Sequence, residues 1–263
     1  MDAALSTISL SIGYPATRSG ASLVLLSDLN LSLPEASLTV LVGSNGIGKS
    51  TLLRTLAGTQ RQLTGSVLIG ADRFETLSVR QRARRLALVY TDRTGGGGLT
   101  VSELVALGRQ PYTGFLGRLS DDDRRIVGEA ISSVGIGHKA DAYVARLSDG
   151  ERQKVMIARA LAQQTPIIIL DEPTSFLDVA SRLEIMQLLG DLARSQAKTI
   201  LLSTHDIAPA LSVADRLWIA DPVNRTILQG PRDALIADGA MQLLFPDRNI
   251  KFDSRALDFR LSR

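Results

Sequence analysis

The amino-acid sequence predicts an α/β domain on a mainly parallel sheet, with a small antiparallel β region and a helical insert beside it. Three observations carry this. Short apolar runs of buried-strand length recur at residues 37–42, 166–170, 199–203 and 217–220. Residues 182–192 lie between two of them and place Ile185, Leu188, Leu189 and Leu192 on one helical stripe. Strands alternating with helices in this way build parallel sheets. Residues 1–40 and 63–90 break the rhythm, with short alternating runs punctuated by Gly and Pro that suit antiparallel pairing.

The elements follow in order. Residues 37–42 form a strand and residues 43–50 a glycine-rich turn. Residues 51–57 continue as a helix carrying Leu52, Leu53 and Leu56 on one face and ending at Gly58. Residues 86–90 read as another strand. The four-glycine run 95–98 opens a helical stretch over about 99–164. Within it, Thr100 with Glu103 and Ser120 with Asp123 match the hydroxyl-then-acid signature of a helix start. The tail beyond Phe245 alternates at Ile250-Lys251-Phe252 and again from Leu257 to Leu261, as a hairpin would, with residues 253–256 as its turn. The expected division is a main domain over 1–240, the helical part inserted in it, and an extension over 241–263.

Composition narrows the chemistry. A chain of 263 residues can bury roughly 70–75% of its unfolded surface. Cysteine is absent, which excludes disulfides, zinc–thiolate sites and cysteine nucleophiles. The only histidines are His138 and His205, too few for a multi-histidine metal site. The formal charge is +3 with acids and bases interspersed, so the basic stripe of a nucleic-acid binder is missing and no nucleic-acid partner is expected. No run approaches the roughly 20 apolar residues of a membrane span. The first ten residues hold Asp2 and no basic start, so a cytoplasmic location is expected.

Two motifs carry chemistry. Gly43-Ser44-Asn45-Gly46-Ile47-Gly48-Lys49-Ser50 matches the phosphate-loop pattern. Its glycines let backbone N–H groups point inward at phosphate oxygens, and the following helix adds its positive end. Lys49 can reach the β- and γ-phosphates, and the Ser50 hydroxyl can ligate Mg²⁺. The second motif is the apolar strand Ile167-Ile168-Ile169-Leu170, ending in Asp171-Glu172. Such a strand delivers its acids to the carboxyl edge of the sheet, where ligands bind. Asp171 is placed to hold Mg²⁺, and Glu172 to face an attacking water as general base.

Further along, Leu147-Ser148-Asp149-Gly150-Glu151 resembles the signature motif of ABC-type ATPases, whose consensus is Leu-Ser-Gly-Gly-Gln. Residues 173–178 resemble the loop after that family's acidic strand, and Ser203-Thr204-His205-Asp206 its switch-histidine segment. With the phosphate loop these motifs cover nearly the whole chain in family order. The resemblance implies a phosphate-loop NTPase with a RecA-like core, a small antiparallel β subdomain and a helical subdomain. It implies ATP and Mg²⁺ as cofactors, and a head-to-tail dimer with two ATP molecules at the interface. Each nucleotide would lie between residues 43–51 of one protomer, Thr51 included, and Ser148 to Gly150 of the other. His205 would contact the γ-phosphate, Asp178 would couple the two sites, and Tyr14 would stack on adenine.

Two departures from the family stand out. The glutamine expected after residues 86–90, a contact to Mg²⁺ and the attacking water, is Thr91 here, followed by Asp92 and Arg93. Thr lacks the amide and is shorter, so a bridging water or Asp92 would have to substitute. The signature carries Asp149 and Glu151, acids that would repel a phosphate unless they point away.

Residues 99–112 and 117–120 resemble the ATPase subunits of bacterial importers for ferric siderophores, haem and cobalamin. That resemblance implies two polytopic permease subunits, an indirect link to a substrate-binding protein, and a peripheral place on the cytoplasmic face of the cell membrane. The other reading is a soluble ABC-type ATPase acting on DNA, cluster assembly or translation, whose relatives carry coiled-coil insertions or two fused ATPase units. A small-molecule kinase would leave residues 147–151 and 203–206 unexplained. The cargo is not written in the chain.

Overall fold

The computed structural model describes residues 3–16, 22–90, 98–114, 116–245 and 249–261. In chain order the elements are β1 (Ala3–Tyr14), β2 (Leu23–Leu29), β3 (Ser32–Pro34), β4 (Leu38–Val42), α1 (Lys49–Leu56), β5 (Thr64–Ile69) and β6 (Asp72–Arg73). Then come α2 (Val79–Ala83), β7 (Leu86–Tyr90), α3 (Val101–Ala106), α4 (Asp121–Ser133), α5 (Asp149–Ala162), β8 (Ile167–Asp171) and α6 (Val179–Ser195). The chain closes with β9 (Thr199–Ser203), α7 (Ile207–Val213), β10 (Arg216–Asp221), β11 (Thr226–Pro231), α8 (Arg232–Ala237), β12 (Ile250–Asp253) and β13 (Asp258–Leu261).

The central sheet runs β11-β10-β4-β9-β8-β7 and is parallel except for β11. Every residue of β4, β8 and β9 is buried, as expected where both faces of a parallel sheet are covered. Strand alternation divides the core in two. Val40, Ile168, Leu170, Ile200 and Leu202 pack with the helical side, against Val155, Ile185 and Leu189. Leu41, Ile167, Ile169, Leu201 and Trp218 face the other way, onto Leu52, Leu53 and Leu56 of α1 and the antiparallel sheet. That second sheet is β2-β1-β5-β6 with β3 paired to β1.

The antiparallel region is smaller than residues 63–90 suggested. Leu86–Tyr90 pairs in parallel with β8 as the edge of the central sheet, because its buried residues match that strand in register. Between β7 and β8 the described chain is helical, and its first two helix starts are built as predicted. Thr100 caps α3 and Ser120 caps α4, each in a reciprocal box with the acid three residues on. Arg109 is the buried anchor of this region. It donates to Asp123 Oδ1, Ala162 O and Gln164 Oε1, each at 2.8 Å, and stacks on Tyr112. Hydrogen bonds from the Ser120 hydroxyl and amide, and then from Arg109, hold the Asp123 carboxyl pKa down to about 2.

At the carboxyl end β12 and β13 pair antiparallel from Ile250↔Leu261 to Asp253↔Asp258. The turn falls one residue later than predicted. Asp253 ends its strand, and its side chain accepts from the Arg255 and Ala256 amides. Phe259 meets Phe245 and Phe252 edge-to-face, and all three pack on the helical side of the core.

Candidate active site

Strand β4 leaves the sheet at Val42 and the chain wraps through residues 43–48 into α1. Gly48 stands at the N-cap with φ of +110°, a backbone state L side chains rarely adopt, and a Cβ there would press on Leu25 at 3.2 Å. The helix starts at Lys49, two residues earlier than the leucine pattern suggested, which brings its unpaired N–H groups directly under the loop. Lys49 Nζ donates to Gly43 O at 2.8 Å and Ser44 O at 3.2 Å, so the cation lies within the loop. Burial lowers its pKa, and the carboxylates of Glu172 and Asp171 oppose that shift.

Two strands away, β8 delivers Asp171 and Glu172 to the same edge. Ser50 Oγ donates to Asp171 Oδ1 at 3.0 Å, and Ser203 Oγ, at the end of the intervening β9, donates to that same oxygen at 2.7 Å. Glu172 turns left-handed at φ +51°, a state that costs an L residue roughly 1–2 kcal/mol. Its N–H donates to both the Ser203 carbonyl and hydroxyl. Glu172 Oε2 accepts from Ser175 Oγ at 3.0 Å and lies 3.5 Å from His205 Nδ1. The strand-end acid and the histidine thus meet, although they are far apart in sequence.

Asp206, next to His205, is clamped from two sides. Thr174 Oγ1 donates to its Oδ2 at 2.7 Å and Arg182 Nη1 to its Oδ1 at 2.8 Å. The contacts of this clamp, of the Ser203 hydroxyl and of the Arg109–Asp123 pair were missed by sequence reasoning, although Ser203, Asp206 and Asp123 lay in recognised segments. Each contact joins residues distant along the chain, and no local pattern announces it. Tyr14, half exposed at the end of β1, brings its hydroxyl to 3.5 Å from Thr51 Oγ1. Thr91, with Asp92 and Arg93, lies outside the described residues.

The signature segment sits on another element, the start of α5. Ser148 is its N-cap, with its hydroxyl accepting from Glu151 N and the Glu151 carboxylate accepting from Ser148 N. Glu151 also pairs with Lys139, and Asp149 with Arg152. Both unusual acids are therefore engaged by cations, and Lys139 with the Ser148 amide holds the Glu151 pKa below its ordinary range. Gly150 is where α5 meets α6, since a Cβ there would lie 2.6 Å from Ser181 Oγ. Asp178 caps α6, accepting from Ser181 N at 2.8 Å, which holds its pKa down.

The oxygens of Ser50 and Asp171 suit Mg²⁺. That ion takes one or two protein oxygens and completes its octahedron with phosphate and water. Among the described residues no three His, Cys, Asp or Glu side chains converge as an all-protein metal cage, which this mode of binding does not need.

Residues 26–175 match the family model described as ABC transporter. The iron(3+)-hydroxamate import ATP-binding protein FhuC of Bacillus subtilis is 42% identical over 203 residues, 77% of this chain and 73% of that protein. The ferric enterobactin transport ATP-binding protein FepC of Escherichia coli K12 is 36% identical over 212 residues, 80% of this chain and 78% of that protein. The dimeric structure of the bacterial ABC transporter cassette MJ0796 aligns with a TM-score of 0.74 at 27% identity, covering 87% of this chain and 98% of that one. A post-hydrolysis dimer of that cassette, bound to ADP and Pi, aligns with a TM-score of 0.73. With a phosphate loop, an acidic strand end and a histidine converging on one sheet edge, the chain belongs to the ABC transporter family, as one of its ATP-hydrolysing ATP-binding domains.

Proposed function

We propose that this chain powers a bacterial importer, hydrolysing ATP to drive uptake of a ferric siderophore, haem or cobalamin through a separate membrane permease. The convergence of Ser50, Asp171, Glu172 and His205 beside the phosphate loop carries the hydrolytic part. The hydroxamate and enterobactin transport proteins at 42% and 36% identity support the ferric-siderophore cargo ahead of the other two.

The geometry supports the following roles. Backbone N–H groups of residues 43–51 cradle the phosphates, Lys49 leaves the loop carbonyls to meet them, and Tyr14 stacks on the adenine. Ser50 and Asp171 would hold Mg²⁺, with Thr91 as a further candidate contact; when bound, the ion would neutralise charge on the phosphates. Glu172 takes the proton of the attacking water, and His205 aligns that water and the γ-phosphate. Ser148 and Gly150 act in trans: a second copy, packed head to tail, aims the start of its α5 at the γ-phosphate. Asp178 links the two sites, being the cap of the helix against which Gly150 packs.

The permease surface lies between α2 and the helical insert. A groove of about 580 Å³ there is lined by Val79, Arg80, Leu107, Gln110 and Pro111, with Val79 strongly exposed. Two permease subunits, one for each protomer, would each place a cytoplasmic segment in it. Among the described residues no helix is long and apolar enough to cross a membrane, which suits a subunit held peripherally at the cytoplasmic face. Residues 1–240 form the ATPase unit with its insert at about 99–164, and 241–263 form an extension.

A tagged pull-down from detergent-solubilised host membranes, read by mass spectrometry, tests this. A stoichiometric polytopic partner is expected. Recovery only from the soluble fraction would replace the importer with a soluble ATPase.

A further inference from the structure

We infer that Ser203 is a positioning residue for hydrolysis, its one hydroxyl setting both acids at the working edge of the sheet. The inference rests on the reading that Asp171 and Glu172 serve hydrolysis. Ser203 ends β9, the strand between the phosphate-loop strand and the acidic strand, and it is fully buried. It pairs in register with Leu41 on one side and Asp171 on the other. The other residues of β9 are Thr199, Ile200, Leu201 and Leu202. A hydroxyl at the centre of such a sheet is costly unless its hydrogen bonds are made.

Both are made, to the two acids. The hydroxyl donates to Asp171 Oδ1 at 2.7 Å, the oxygen that also accepts from Ser50. It accepts the Glu172 N–H at 3.0 Å, the amide that also reaches the Ser203 carbonyl at 3.1 Å. The first bond fixes the rotation of the Asp171 carboxylate toward Ser50. The second anchors the backbone where Glu172 turns left-handed, so its side chain reaches Ser175 and His205 instead of following the strand. An apolar residue of similar size would fill the space but remove this donor to Asp171 and this acceptor for the Glu172 amide.

Thr and Val provide the test, being nearly isosteric, suited to a strand and different in the hydroxyl alone. In the full-length chain Ser203→Thr should keep kcat within about two-fold, whereas Ser203→Val should lower it about 10- to 100-fold with KM for ATP little changed. A second readout does not depend on turnover: the Mg²⁺ concentration that half-saturates binding of a fluorescent ATP analogue should rise several-fold in Ser203→Val only. Equal kcat and equal Mg²⁺ dependence in the two variants would overturn the positioning role. So would equal losses that track lowered melting temperature in both. Glu172→Gln, measured in parallel, separates the two failures: if it hydrolyses ATP at the unmodified rate, the underlying reading of the two acids falls instead.

Discussion

The acids at the end of β8 and those at the start of α5 share their chemistry and differ in their partners. Asp171 accepts from the hydroxyls of Ser50 and Ser203 and Glu172 accepts from that of Ser175, with the Lys49 ammonium near both and His205 beside Glu172. Asp149 and Glu151 are held by the cations of Arg152 and Lys139, and Glu151 closes a helix cap. Hydroxyls orient a carboxylate without cancelling its charge, so it can still take a proton or a metal ion. An ion-paired carboxylate at a helix start has its charge answered and stabilises the helix instead. A residue type near a phosphate site therefore says little until its partners are known. The repulsion expected from the signature acids is relieved in this way, by the neighbours that answer their charge.

The sharpest break of this comparison is Glu172→Gln. Phosphate release should fall by about 100-fold or more, the range for removing a general base, while ATP binding by filter assay stays within a few-fold. Unchanged release would take the base role from Glu172. Next, Lys49→Ala should weaken binding of a fluorescent nucleotide by about 10- to 100-fold, because charge-assisted bonds to phosphate are lost. A further acid, Asp123, extends the helix-start pattern into the core. Asp123→Ala strands the buried Arg109 and should cost about 3 kcal/mol in urea denaturation. The folded pKa of Asp123 is depressed to about 2, so its stabilisation is complete above the ordinary carboxylate range, near pH 4, and is lost as pH falls toward 2. The smallest effect belongs to the signature acid. Glu151→Gln keeps a residue able to close the capping box and loses the Lys139 pair, so melting should report about 0.5–1 kcal/mol and hydrolysis should not change. A large loss of hydrolysis there would put Glu151 in the same class as Glu172.

Much of the fold was legible because its cause is local. Four apolar runs and a glycine loop announce a parallel sheet with a ligand edge, and the hydroxyl–acid spacings at 100–103 and 120–123 announce two helix starts that form as capping boxes. Residues 86–90 were assigned to the antiparallel side since alternating and continuous runs look alike over five residues; register with β8 decides the matter. Of the site, the phosphate loop, Asp171, Glu172 and His205 stood out by motif. Arg182 did not, and Thr174, Ser203 and Asp206 lay inside recognised segments without a role, because each is defined by what lies across a strand or a loop from it.

By itself the sequence determined the chemical parts and their order: a loop that can cradle phosphate, a strand ending in two acids, a capped helix start, and a histidine after a buried strand. Those features depend on neighbours within a few residues, which is the range of backbone conformation and side-chain periodicity. Tertiary structure decided how the parts are used. It set β9 between the loop strand and the acidic strand, so that one serine touches both acids. It turned Glu172 back toward His205, and it gave Glu151 a lysine and Glu172 a serine hydroxyl and a histidine. Charge and hydrogen bonding act through space, and the spacing of residues along the chain does not contain those distances.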